Sequence, residues 1–157
     1  MPSEITPGEW PLTVVRENLS GENAARVRVQ AAAPGLFGVV THTDYTLVGR
    51  GEPEDSTPAR PGEIVLIFGT GFGSTAPAVF SGELPDFGAR IVLPARVWLG
   101  EAMLPGYLLR YVGLAPGFAG LYQINLELPA DVPAGDVQVR IEIDGVFSQE
   151  GVSIAVE

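Results

Sequence analysis

The sequence predicts an all-β fold of the sandwich or barrel kind, on three observations. The 157-residue chain holds 20 glycines and 14 prolines, and helix interiors tolerate few of either. Its apolar residues recur with period two rather than the about 3.6 of a helix. Dipeptides built from Pro and Gly separate short apolar runs along the whole length, as in chains of many short strands. The glycines follow no three-residue period, which excludes collagen. A hydrophobic fraction of 46% excludes a disordered chain.

The elements follow in order. Leu12 to Arg16 and Ala25 to Val29 read as a hairpin, with Gly21 and Asn23 in its turn. Leu36 to Thr41 and Tyr45 to Val48 read as a second pair joined through Thr43-Asp44. Ile64-Val65-Leu66-Ile67-Phe68 is a continuous apolar run, the signature of a strand buried on both faces. Phe72 to Arg90 is rich in Gly, Ser and Pro and reads as a long loop. Ala95 to Leu99, Tyr107 to Val112 and Leu121 to Leu128 are further strands, set apart by Pro105-Gly106 and Pro116-Gly117. Val137-Gln138-Val139-Arg140-Ile141-Glu142-Ile143 alternates without a break, as a half-buried strand does. Asp144-Gly145, both tolerant of positive φ, then turns the chain into Val152-Ser153-Ile154-Ala155-Val156.

The two ends echo each other. Pro7-Gly8-Glu9 and Pro133-Ala134-Gly135-Asp136 each lead into strand, turn and strand. Residues 5–30 thus read as the last hairpin of a preceding sandwich, although ordinary hairpin chemistry produces the same pattern. A lone hairpin is marginal in water. This one is expected to pack on the following domain, on a neighbouring chain or on further sequence, and an exposed strand edge is a template for another strand.

Composition excludes several functions. Nine basic residues, all Arg, stand against 19 acidic ones, for a net charge of −10. A nucleic-acid binder carries a basic footprint, and an anionic membrane surface would repel this chain. No apolar run is long enough to span a bilayer. There is no Cys, hence no thiolate catalysis, disulfide or Cys-ligated metal. Met1 to Pro7 lacks the basic start and apolar core of a signal peptide, so if the protein is secreted its signal is expected outside this sequence.

Three segments carry a family resemblance: Ala33-Pro34-Gly35-Leu36-Phe37, the Pro61 to Gly73 run ending Phe68-Gly69-Thr70-Gly71-Phe72-Gly73, and the stretch from Gly113 through Pro116-Gly117-Phe118 and Gly120-Leu121-Tyr122-Gln123-Ile124-Asn125. With Pro129 to Gly135 and the closing hairpin, they resemble the uncharacterised C-terminal domain of Solibacter-type secreted bacterial proteins, related to immunoglobulin-like domains of the IPT/TIG type. The resemblance implies an immunoglobulin-like β-sandwich over residues 33–157, preceded by a β-hairpin domain over residues 1–32. It implies an extracellular or cell-surface setting and no established activity.

Candidate site residues are few. Gly69, Gly71 and Gly73 let the chain bend after a buried strand; Ser74 stands where a dinucleotide fingerprint needs its third glycine, and Thr75-Ala76-Pro77 opens no helix. Gln123 and Asn125 share a polar face that either forms a ledge for a partner or ties down the Pro116 to Gly120 loop. Tyr122 is placed to anchor a corner through its hydroxyl. His42, the single histidine, reads as a turn residue, since one His without Cys makes a poor metal site. Glu52-Pro53-Glu54-Asp55-Ser56 lacks the spacing of a calcium loop, and Asp131, Asp136 and Asp144 lie at turns. Trp10, Trp98, Tyr107, Tyr111 and Phe118 read either as packing residues or as a sugar-binding platform. No cofactor, metal or catalytic constellation is predicted. The expected function is a non-catalytic structural or interaction module, a homo-oligomer or assembly subunit joined through strand edges and loops; the alternative is a glycan-binding or adhesion module.

Overall fold

A computed structural model of the chain describes residues 5–13, 15–16, 19–20, 25–51, 53–86 and 88–157. Its regular elements are strands, apart from one 3₁₀ turn at Gly106–Leu108. In chain order they are β1 (Gly8–Leu12), β2 (Val15–Arg16), β3 (Leu19–Ser20), β4 (Ala25–Val29), β5 (Gly35–Thr41), β6 (Ile64–Thr70), β7 (Thr75–Ala76), β8 (Arg90–Ile91), β9 (Ala95–Leu99), β10 (Ala102–Met103), β11 (Leu109–Leu114), β12 (Tyr122–Glu127), β13 (Gly135–Ile143), β14 (Val146–Phe147) and β15 (Ser153–Val156).

The strands from β5 onward make two antiparallel sheets. One has the order β5-β6-β12-β11-β8-β7; the other runs β10-β9-β13-β14, with β15 also on β13. Taking β5, β6, β9, β11, β12, β13 and β15 as strands A to G, the first sheet contains A-B-E-D and the second C-F-G, the immunoglobulin arrangement. Val65, Ile67, Ile124 and Leu126 of the first sheet meet Val97, Val139, Ile141, Ile143, Ile154 and Val156 of the second in one core. The alternation read in β13 has this cause: Val139, Ile141 and Ile143 point into the core, while Glu142 turns outward to Arg96 and Trp98. On β6 the alternate residue Leu66 is buried as well, as its unbroken apolar run predicts.

Several boundaries differ from the sequence reading. The N-terminal pairing uses Gly8–Leu12, not Leu12 to Arg16, opposite Ala25–Val29. The proposed turn residues Gly21 and Asn23 lie outside the described residues. Tyr45 to Val48 folds back on β5 through a single bridge, Thr41 to Leu47, and the continuous partner of β5 is β6. Gly106–Leu108 is a 3₁₀ turn after Pro105, so the next strand starts at Leu109. The loop from Phe72 to Arg90 contains β7, which pairs with β8 at its end.

The hairpin β1–β4 forms a two-stranded sheet of its own. Every residue of β1 is exposed, whereas Val29 at the base is buried. Among the described residues β1 and β4 pair with each other alone.

Candidate interaction surface

The root of the hairpin is where the glycine run acts. The linker from Ala31 to Gly35 lies directly on it. A Cβ on Gly71 would sit 2.1 Å from the Ala33 carbonyl oxygen, and one on Gly73 2.8 Å from that of Ala31. Gly71 also has φ +76, and its carbonyl accepts the Ala33 N–H at 2.8 Å. Three side chains finish the fastening. The Tyr122 hydroxyl donates to the Gly73 carbonyl, and its ring packs on Phe72 with centroids 5.0 Å apart. Burial pushes the Tyr122 phenol up, holding it as a neutral donor. The third is Gln149, in the irregular stretch between β14 and β15. Its Oε1 accepts the Leu36 N–H at 3.0 Å, and its Nε2 donates to the Leu36 carbonyl at 2.5 Å. One amide thus replaces a strand neighbour for the first residues of β5. Nothing near Gln149 in the sequence signals a partner 113 positions away.

The other candidates are dispersed. Gln123 Nε2 donates to Asn125 Oδ1 at 2.6 Å. Among the described residues neither amide bonds the Pro116 to Gly120 backbone, so these two do not tether that loop. The loop docks instead through Gly117 N–H on the Pro85 carbonyl at 2.8 Å, with Phe118 exposed. Tyr111 donates to the Leu114 carbonyl at 2.6 Å and lies under the Arg90 guanidinium, 5.1 Å from the ring centroid.

His42 is more than a turn residue. Its Nδ1 lies 2.5 Å from Glu63 Oε1 and its Nε2 3.1 Å from the Thr57 carbonyl. The imidazolium donates to both acceptors at once, while the neutral ring keeps Nδ1–H on Glu63 and can accept at Nε2 from the Thr57 hydroxyl, also 3.1 Å away. Burial alone would lower the imidazole pKa; the Glu63 and Thr57 hydrogen bonds and the charges of Glu63 and Asp44 outweigh it and leave it raised. Asp44 caps Thr46 N–H at 3.0 Å. Of the acidic run, Glu52 lies outside the described residues, and Ser56 is buried with its Oγ accepting the Gly51 N–H. Among the described residues no group of three or more His, Asp or Glu is placed to hold a metal ion, and no helix is long and apolar enough to cross a membrane.

Among the described residues, exposed apolar side chains include those of two groups. On the outer face of the second sheet Trp98 packs on Phe147, tilted 54°, with Arg140 over the Phe147 ring, so these two rings are not coplanar; Tyr107 and Phe118 are exposed elsewhere. On the hairpin, the rungs Trp10↔Val27 and Leu12↔Ala25 put these four side chains on one face. Trp10 is 43% and Leu12 45% exposed, with the indole N–H bonded to the Thr6 carbonyl at 3.0 Å. Glu9, Arg26 and Arg28 occupy the opposite face, where Arg26 pairs with Glu9 at 3.5 Å. The edge strand β5 adds Phe37 and Val39, exposed where its register with β6 breaks between Leu36 and Val40. Comparison with known proteins adds no relative: no family model matches the chain, and no curated protein matches it.

Proposed function

We propose that this chain is a non-catalytic structural and interaction module of the extracellular space or cell surface, joining other β-rich protein, a second copy included, through its N-terminal hairpin. One observation carries the reading: a two-stranded sheet with a polar side and an apolar side stands on a fastened root, and its apolar side is open. Exposed apolar faces mark interaction sites, and open strand edges accept further strands. The extracellular setting rests on the family resemblance of residues 33–157.

Light scattering across a concentration series, with electron microscopy of the same samples, tests the reading. Association that Trp10→Asp weakens is expected. A wild-type chain that stays monomeric throughout refutes self-assembly, and a Trp10→Asp chain that associates as strongly as wild type refutes the hairpin as its site.

A further inference from the structure

We propose that the N-terminal hairpin is the closing hairpin of a second immunoglobulin-like sandwich, and that its partner is an open sandwich, a β-domain carrying the other strands but lacking its own last hairpin. This rests on the interaction reading above and names the partner.

The chain contains its own template. A single constant offset carries four of the five rungs of the first hairpin onto the four of the last; the fifth, Leu12↔Ala25, falls on Val139 and Val152, joined there by the Val139 N–H to Val152 carbonyl bond at 2.9 Å. Gly8↔Val29 falls on Gly135↔Val156 and Pro11↔Arg26 on Gln138↔Ser153. Both hairpins then shift their pairing by two residues, and the same offset still places Val15↔Ser20 on Glu142↔Phe147 and Arg16↔Leu19 on Ile143↔Val146. Shared turn chemistry explains a similar loop but not the same shift at the same rung. The hairpins are therefore equivalent, including the irregularity.

Equivalence identifies what is missing. Trp10↔Val27 corresponds to Val137↔Ile154, and Leu12 to Val139. Ile154 is 0% and Val139 1% exposed and Val137 is partly buried against the same core, because the six-stranded sheet covers that face. β13 also has a strand on its other edge, β9. The first hairpin has neither cover nor edge partner among the described residues. Its outward face, with the Arg26–Glu9 pair, is already the kind that faces water.

The same comparison selects the occupant. A two-stranded face laid on a flat surface falls short of the about 800 Å² per partner of a stable interface. An open sandwich engages the face through its core and the edge through main-chain hydrogen bonds at once. An intact second copy has that place filled by β13–β15, which leaves it only a weaker surface contact with the hairpin, the self-association of the reading above.

The test uses the full chain, tagged, coexpressed with a second copy lacking residues 135–157. The expected result is recovery of a one-to-one complex, with Trp10→Asp in the full chain weakening it by about thirtyfold or more, as loss of a buried aromatic anchor does, and Arg26→Ala leaving it unchanged. Equal recovery with Trp10→Asp overturns the proposal. Recovery of an intact second copy as readily as the shortened one leaves the interaction reading standing and overturns the partner; recovery of neither overturns the partner, and the light-scattering series decides the interaction reading on its own. A chain in which residues 8–29 replace residues 135–156 checks the equivalence separately. One cooperative thermal transition is expected, and its absence overturns the proposal.

Discussion

Gly71→Ala tests whether the glycine run is a cradle for the hairpin root or only a bend. Gly71 has φ +76, and a side chain in the left-handed region costs about 1–2 kcal/mol. Gly62 has φ +80 and nothing within 4 Å of an added Cβ, so Gly62→Ala incurs that backbone cost alone. At Gly71 the new methyl would lie 2.1 Å from the Ala33 oxygen and 2.9 Å from its carbonyl carbon. The Ala33 carbonyl must move away, and the Ala33 N–H bond to Gly71 is strained or lost. Overpacking of this kind costs about 1–3 kcal/mol and the hydrogen bond about 1 kcal/mol. Gly71→Ala is therefore expected to destabilise by about 2–4 kcal/mol more than Gly62→Ala. In a chain of this length that separates their melting temperatures by about 4–16 °C. Circular dichroism melts of both variants measure the separation, and hydrogen exchange at the Ala33 amide locates it. Equal losses within about 0.5 kcal/mol, the scatter of neutral surface changes, would refute the cradle.

Three further predictions follow the same physics. Gln149→Leu removes two hydrogen bonds to Leu36 and leaves its N–H and carbonyl without that partner; a loss of about 2–3 kcal/mol is expected in urea unfolding, and a loss below about 0.5 kcal/mol would mean that water satisfies Leu36 equally well. Tyr122→Phe keeps the ring against Phe72 but deletes the bond to the Gly73 carbonyl, for an expected loss of about 1 kcal/mol, read from the same unfolding curve. For His42, whose imidazole pKa is raised above its ordinary 6.5, the stabilising contribution is complete below that ordinary value and disappears as pH rises through the elevated one. Wild type should thus exceed His42→Gln in melting temperature by more at pH 5.5 than at pH 8.5; a constant gap would show that the Glu63 contact does not depend on the imidazolium.

Much of the fold was legible because its signals are local. The alternation in β13 and the unbroken run of β6 reflect which faces are buried, and each is written in consecutive residues. Ala95–Leu99 coincides with the expected strand for that reason. Boundaries failed where a neighbour decides them. Leu12 to Arg16 alternates well enough for a strand, yet the pairing with Ala25–Val29 takes Gly8–Leu12, since register depends on both strands together. The polar side chains were harder still. Gln123 and Asn125 were legible as sharing one polar face, but their bond to each other depends on rotamers that no spacing encodes.

By itself the sequence determined an all-β chain, the positions of most strands, the bend at the glycines and the echo between its two ends. Those features follow from period, propensity and turn chemistry within a few residues. The tertiary structure decided what the glycines bend around, that Gln149 holds Leu36, that His42 bridges Glu63 and Thr57, and that the first hairpin pairs in the register of the last while, among the described residues, its apolar side stays open. Each of these joins segments far apart in the chain, and whether a face is covered is a property of its neighbours, not of the residues that form it.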